Sequence, residues 1–216
     1  MSFKIEHLTF HTVDDLPQGS DKWLLFRRGK VTASNAQKLV LKGKHAALLA
    51  NKTSGFNNEW SDRGHALEEE VRDRLNASLD GDGFVIREFG AIENDKYADC
   101  AYSPDGIVFP KELKKLNWEA WKKMPLIEIK CFSDVTHHED GTESRPMKHT
   151  KCCEDYNNVP VYVKFQVQFG MMITERDLCY LIFYNPDCEN PDMRIKIYPV
   201  KRDEAIIERI KEALNK

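Results

Sequence analysis

The residues that most constrain this fold are Glu128 and Lys130 in the run Leu126-Ile127-Glu128-Ile129-Lys130. The apolar flanks read as a buried strand, in which residues two apart point to the same face. Glu128 and Lys130 therefore project together, while Ile127 and Ile129 face the core. Burying a carboxylate and an ammonium beside an apolar sheet is costly unless they are paired or bind a metal. The blander alternative is an ion pair on an exposed edge strand. A second motif, Tyr102-Ser103-Pro104-Asp105-Gly106, places another acid at a turn that opens a β-run. Alone, Asp105 there is an ordinary turn residue. An acid, a gap and then acid-x-Lys at the end of a hairpin is an arrangement suited to holding a divalent cation.

Bulk properties permit this reading without proving it. A chain of 216 residues is enough for one well-cored domain. We expect a single domain over 1–216, with a motif-bearing core at about 19–187 and a closing strand and helix at 194–214. With 41% hydrophobic and 31% charged residues, it reads as globular and soluble. No apolar run approaches the ~20 residues a membrane span needs, and Met1 to Phe10 lacks a basic-then-apolar signal pattern. The cysteines (Cys100, Cys131, Cys152, Cys153, Cys179, Cys188) lack the spacing of a small secreted disulfide framework. A reducing, cytoplasmic setting is expected. The net charge of −3 is odd for a protein that coats DNA by neutralising phosphates, and charge alone leaves the partner open. It still permits an enzyme with a local basic groove and acids reserved for metal.

Periodicity places the motifs. Trp23 to Arg28 reads as a short helix, and Ser34 as the cap of a second one that begins near Asn35 and ends at Gly43. Leu67, Val71, Leu75 and Leu79 recur every four positions, which predicts an amphipathic helix between Asp62 and Leu79. Strands are expected over Phe84 to Ile92, roughly Tyr97 to Tyr102, Gly106 to Phe109 and Leu126 to Phe132. Val161 to Thr174 is expected to be a helix, then strands over Leu178 to Tyr184 and Arg194 to Val200. A closing amphipathic helix carries Ile206, Ile207, Ile210 and Leu214, with Asp203 near its cap. This order predicts an α/β fold with a mixed central sheet flanked by helices.

Several polar residues stand out against that frame. Glu68 borders the apolar stripe of its helix, whereas Glu69 and Glu70 read as a solvated face. Gln166 and Gln168 sit inside an apolar run, and buried amides need partners. The series Trp23-x-x-x-Arg27-x-Gly29-x-Val31-Thr32-Ala33-Ser34, Gly64-x-x-x-Glu68, Ser103-Pro104-Asp105-Gly106, Glu128-Ile129-Lys130-Cys131, Gln166-Val167-Gln168 and Tyr184-Asn185-Pro186 occurs in one order. It resembles the lambda exonuclease (YqaJ-type viral recombinase) family of the restriction-endonuclease-like superfamily, with PD-(D/E)xK chemistry, over about Gly19 to Asp187.

The resemblance implies a 5′→3′ exonuclease of phage or prophage type that degrades one strand of linear duplex DNA. Asp105, Glu128 and the carbonyl of Ile129 would hold Mg²⁺, one or two ions per site, with Mn²⁺ as a substitute. Lys130 would orient or help deprotonate the attacking water, Glu68 would sit at the site's edge, and Gln166 would join the nucleophile's hydrogen-bond network. Arg27, Ser34 and Ser103, with Thr32 a weaker candidate, would bind the terminal 5′-phosphate. Arg27 suits that role because a guanidinium pairs bidentately with phosphate; a helix start at Ser34 would add backbone N–H groups. The family also implies a toroidal homotrimer and a single-strand annealing partner acting in recombination.

Some features depart from the pattern. Phe109 to Pro125 is a long link with Trp118, Trp121 and the lysines Lys111, Lys114, Lys115, Lys122 and Lys123. A lid that packs its tryptophans on the body is preferred to a DNA-contacting insertion. The family tyrosine before the glutamine motif is displaced here, with Tyr162 close but out of register. His137-His138-Glu139-Asp140 with His149, Cys152 and Cys153 lacks Cys-x-x-Cys spacing, so a polar loop is expected rather than a zinc site. The cysteine spacing does not fit an iron–sulfur cluster. Two other function classes compete: an endonuclease of the same superfamily, and a catalytically silent DNA-end-binding recombination protein.

Overall fold

In the computed structural model, which describes residues 2–43, 59–113, 117–131, 136–137, 143–144 and 155–215, the strands are Ser2–Ile5 (β1), Leu8–His11 (β2), Val31–Thr32 (β3), Phe84–Arg87 (β4), Ala91–Asn94 (β5), Cys100–Ala101 (β6), Gly106–Pro110 (β7), Leu126–Cys131 (β8), Thr136–His137 (β9), Glu143–Ser144 (β10), Leu178–Tyr184 (β11) and Ile195–Lys201 (β12). The α-helices are Asp21–Arg27 (α1), Ala36–Lys42 (α2), Glu59–Leu79 (α3), Trp118–Lys122 (α4), Val161–Thr174 (α5) and Glu204–Leu214 (α6). Five strands form the main sheet in the order β12-β11-β8-β7-β4. The acid-x-Lys strand β8 lies in the middle, parallel to β11 and antiparallel to β7. Its central place removes the edge-strand explanation of the Glu128–Lys130 pair.

Both faces of this sheet are covered. On one side, Val163, Phe165, Val167 and Phe169 of α5 join Ile207 and Ile210 of α6 against Leu126, Leu181 and Phe183. On the other, Val71, Leu67, Leu75 and Leu79 of α3 pack on Ile86, Ile127, Ile129 and Ile182. A strand buried on both faces reads as a nearly continuous apolar run, which is why Glu128 stands out in β8. Helix α5 forms despite its β-branched residues because it is apolar nearly all round and is buried on all sides from Val167 to Thr174. Asp203 caps α6 as expected, its Oδ1 accepting from Ala205 N at 2.9 Å and Ile206 N at 3.2 Å.

The expected strand Phe84 to Ile92 is two strands in two sheets. β4 edges the main sheet, whereas β5 pairs with β2 of an N-terminal hairpin in the order β1-β2-β5. The switch occurs at Glu88-Phe89-Gly90, where Gly90 N donates to His11 O at 2.8 Å. A Cβ at Gly90 would lie 2.0 Å from the carbonyl oxygen of Leu16, so only glycine permits this approach. The expected Tyr97–Tyr102 strand shortens to β6, which pairs in parallel with β3, plus a bridge between Ile92 and Tyr102. The described part of the 109–125 link packs on the body: Trp121 is fully buried and its indole donates to Thr174 O at 3.0 Å, while Lys114 and Lys115 lie outside the described residues. His138, Glu139, Asp140, His149, Cys152 and Cys153 lie outside the described residues. Among the described residues, no helix is long and apolar enough to cross a membrane.

Candidate active site

The polar centre is built on β8. Glu128 is 1% exposed, and three side-chain donors converge on it. Lys130 Nζ lies 2.5 Å from Oε1, and Gln166 Nε2 of α5 donates to the same oxygen. The hydroxyl of Tyr102 donates to Oε2 at 3.0 Å. The Tyr102 ring reaches this position because Gly170 of α5 leaves room; a Cβ there would meet Tyr102 Cζ at 2.6 Å. Burial, then the charge of Glu128, pushes the Tyr102 phenol well above its ordinary value, so it stays a neutral donor.

Asp105 sits at the start of β7, one strand away. Its Oδ2 accepts from the backbone N–H of Ile129 at 2.6 Å, which pins the turn to β8. The carbonyl of Ile129 in turn accepts from Lys130 Nζ at 3.1 Å. Burial, then the carboxylates of Glu128 and Glu68, raises the Asp105 pKa well above the usual carboxylate range against the pull of Lys130. Burial works to lower the Lys130 pKa, but Glu128, Asp105 and Glu68 outweigh it and raise the ammonium's pKa overall. All three acids thus favour the charged form of Lys130.

The second cluster comes from α1 and the segment after it. Arg27 lies over the ring of Trp23, one helical turn earlier, with Cζ 4.1 Å from the centroid. Its Nη2 is 3.3 Å from both Thr32 Oγ1 and Ser34 Oγ, and those hydroxyls are 3.1 Å apart. Among the described residues Arg27 has no carboxylate partner. Burial lowers its pKa to about 10, which leaves it cationic at neutral pH. Ser34 does not cap a helix: it lies within a 3-10 turn, Ala33–Asn35, and Asn35 at the start of α2 makes no side-chain cap bond. The Ser34 hydroxyl is turned toward Arg27 instead. Ser103 donates to Gly90 O at 2.8 Å and accepts from the Trp23 indole at 3.0 Å.

One cavity of about 140 Å³ joins the two clusters: Arg27, Ser34 and Ser103 line it together with Glu68, Asp105, Lys130 and Gln166, and Gln18, Trp23, Ala33 and His65 complete its wall. Thr32 and Glu128 do not line it: Thr32 accepts from Arg27, and Glu128 is held by Lys130 and Gln166, which do. The sequence reading missed several members. Tyr102 adjoins the Ser-Pro-Asp-Gly turn, whereas Tyr162, near the displaced family tyrosine, is 45% exposed. His65 is 3.4 Å from Glu68 at i,i+3 on α3, a spacing visible in the sequence.

The donor set suits a hard divalent cation: two carboxylates, Asp105 and Glu128, and the carbonyl of Ile129 are all oxygen ligands. Among the described residues no three His, Cys, Asp or Glu side chains converge as a metal site. A cation held here would thus rely on the carbonyl and water for the rest of its shell.

Residues 22–177 match the family model described as a YqaJ-like viral recombinase domain. No curated protein sequence matches the chain. Among solved structures, it is similar to an alkaline exonuclease (LHK-Exo) from Laribacter hongkongensis, at 24% identity and TM-score 0.65 over 91% of this chain and 89% of that one. A structure of LHK-Exo in complex with dAMP gives 24% identity and TM-score 0.64 over 90% and 89%. A phage related exonuclease from Haemophilus somnus is 16% identical, with TM-score 0.55 over 86% and 90%. The shared fold is the restriction-endonuclease-like one, a mixed sheet flanked by helices.

Proposed function

Because the chain belongs to the YqaJ-like viral recombinase family, we propose that it is a phage-type, Mg²⁺-dependent exonuclease that degrades one strand of linear duplex DNA from a 5′-phosphorylated end. The observation that carries this reading is that one cavity is lined both by Arg27, Ser34 and Ser103 and by Asp105, Glu68, Lys130 and Gln166. A terminal phosphate held by Arg27, Ser34 and Ser103 would bring the adjoining phosphodiester toward Asp105, Glu68 and Lys130, so cleavage would proceed 5′→3′. The dAMP bound to LHK-Exo is the kind of mononucleotide such a reaction releases.

Arg27, stiffened by the face of Trp23, offers a planar fork to phosphate oxygens, and the Ser34, Ser103 and Thr32 hydroxyls supply further donors. Asp105, Glu128 and the Ile129 carbonyl would hold Mg²⁺, with Mn²⁺ as a substitute. When bound, the ion supplies charge neutralisation at the scissile phosphate and a lowered pKa for the attacking water. Lys130, held by Glu128 and the Ile129 carbonyl with its pKa raised, remains an ammonium. It orients the water and stabilises developing negative charge rather than accepting a proton. Gln166 and Tyr102 fix the Glu128 carboxylate, and Glu68 orders water at the cavity's edge.

The same reading includes a homotrimeric ring around DNA, a single-strand annealing partner for recombination, and work in the cytoplasm of a bacterial host. Digestion of linear duplex with 5′-phosphate or 5′-hydroxyl ends, in Mg²⁺ or EDTA and beside a closed circle, tests it. Mg²⁺-dependent loss of the phosphorylated strand with an intact circle is expected. Cutting of the circle would make the protein an endonuclease, and no cutting at all would make it an end-binding protein.

A further inference from the structure

Where the chain leaves the main sheet for the hairpin sheet, three successive residues are each tied to a different part of the cavity wall. The Gly90 carbonyl accepts from the Trp23 indole at 3.0 Å and from the Ser103 hydroxyl at 2.8 Å. The Phe89 carbonyl accepts from Gln18 Nε2 at 2.9 Å, and the same amide donates to Pro104 O at 2.9 Å. The Glu88 carboxylate pairs with Arg72 Nη2 of α3 at 2.9 Å, while Arg72 Nη1 reaches the backbone carbonyl of Asp105 at 3.4 Å. The strip is seated firmly, since Gly90 lies against the Leu16 carbonyl too closely for any side chain. The wall at the phosphate end and the turn carrying Asp105 therefore hang on the same three residues.

We infer that Arg72 and Glu88 are positioning residues that link occupancy of the 5′-phosphate end to the placement of the Asp105 carboxylate. A phosphate drawn onto Arg27, Ser34 and Ser103 would load the Gly90 end of the strip. The Glu88–Arg72 pair would carry that load to the Asp105 carbonyl, so a phosphorylated end is cleaved faster as well as held. The Arg72 side chain is 14% exposed, so its ion pair is partly shielded from water, and a planar guanidinium can hold two acceptors at once. Arg72 makes no side-chain bond to Asp105 among those observed and acts through the backbone. A simple brace of α3 on β4 would use the same ion pair but would be indifferent to the end of the DNA. The inference rests on the nuclease reading given above.

The experiment measures kcat and KM on 5′-phosphorylated and 5′-hydroxyl linear duplexes for wild type, Arg72→Gln, Glu88→Leu and Glu88→Gln, with melting curves for each. Couplings between sites are commonly about 5-fold or more, so Arg72→Gln and Glu88→Leu should cut the phosphate's advantage in kcat by at least about 5-fold. Glu88→Gln, which keeps an acceptor for Arg72, should retain most of the advantage. Equal kcat losses on both ends, or a full advantage in both disruptive variants, would overturn the inference and leave the nuclease reading standing. If Arg72→Gln does not fold, the two Glu88 variants decide the matter. A wild-type enzyme indifferent to the 5′-phosphate would sink the phosphate pocket, and this inference with it.

Discussion

Tyr102→Phe removes a single atom from the buried side of the site. The hydroxyl lost is the donor to Glu128 Oε2 at 3.0 Å, while Lys130 and Gln166 remain on Oε1. The phenylalanine ring still fills the space left by Gly170, so no cavity opens and the change isolates the hydrogen bond. A hydrogen bond to a charged group contributes about 1.5–3 kcal/mol, and a buried acceptor stripped of its donor costs a similar amount. If the Glu128 carboxylate must hold its place in the transition state, that range lowers kcat by about 10-fold to about 150-fold. In a protein of this size each kcal/mol moves the melting midpoint by about 2–4 °C, so a fall of about 3–12 °C is expected. Steady-state cleavage of a 5′-phosphorylated duplex and thermal melting of the metal-free protein measure both effects, with Tyr162→Phe as a control that should change neither. A Tyr102→Phe enzyme with kcat within about twofold of wild type and an unmoved midpoint would show that the bond, despite its burial, does not hold the carboxylate.

Two further outcomes follow from the same centre. Burial, then Glu128 and Glu68, raises the Asp105 pKa in the fold, so its contribution to stability is complete below the unfolded value of about 3.9 and is lost as pH climbs through the raised value. The metal-free protein should therefore melt lower as pH rises. Asp105→Asn should flatten that slope, abolish cleavage and remove the stabilisation that Mg²⁺ gives at higher pH. Equal pH slopes in scanning calorimetry of both proteins in EDTA would contradict this. Gly170→Ala pushes a methyl toward Tyr102 Cζ, 2.6 Å from an ideal Cβ. Overpacking of this kind costs about 1–3 kcal/mol, so a lower midpoint together with reduced kcat is expected; normal values of both would mean that the ring shifts freely.

What could be read from the sequence was what is local. The same-face relation of Glu128 and Lys130 needs only the two-residue period of a strand, and the stripe on α3 needs only its four-residue recurrence. Arg27 over Trp23 is likewise an i,i+4 relation on α1, and Asp203 caps α6 through its own next two residues. The N-terminal three-stranded sheet was not visible because β2 finds its partner β5 some eighty residues later in the chain. The break between β4 and β5 depends on Gly90 meeting the carbonyl of Leu16, a contact with no trace in the residues around it. Ser34 misled for a related reason. A serine before a helix looks like a cap, but a nearby guanidinium competes for its hydroxyl, and here the guanidinium wins.

The division between local and distant contacts has a chemical meaning at Glu128. Its charged neighbour Lys130 comes from the same strand and is fixed by backbone geometry alone. Its neutral donors come from elsewhere: Gln166 from α5, and Tyr102 from the segment before the Asp105 turn, admitted by a glycine on α5. An ammonium alone could share a proton with the buried carboxylate or swing toward solvent. Neutral donors cannot discharge it, and they hold its two oxygens in a set orientation whether or not Lys130 is engaged elsewhere. Packing α5 against the sheet therefore does more than cover the core. It brings Gln166 to Glu128 and, through Gly170, makes the room that lets Tyr102 reach the same carboxylate, so the folding of the layer and the orientation of the candidate catalytic acid are one event.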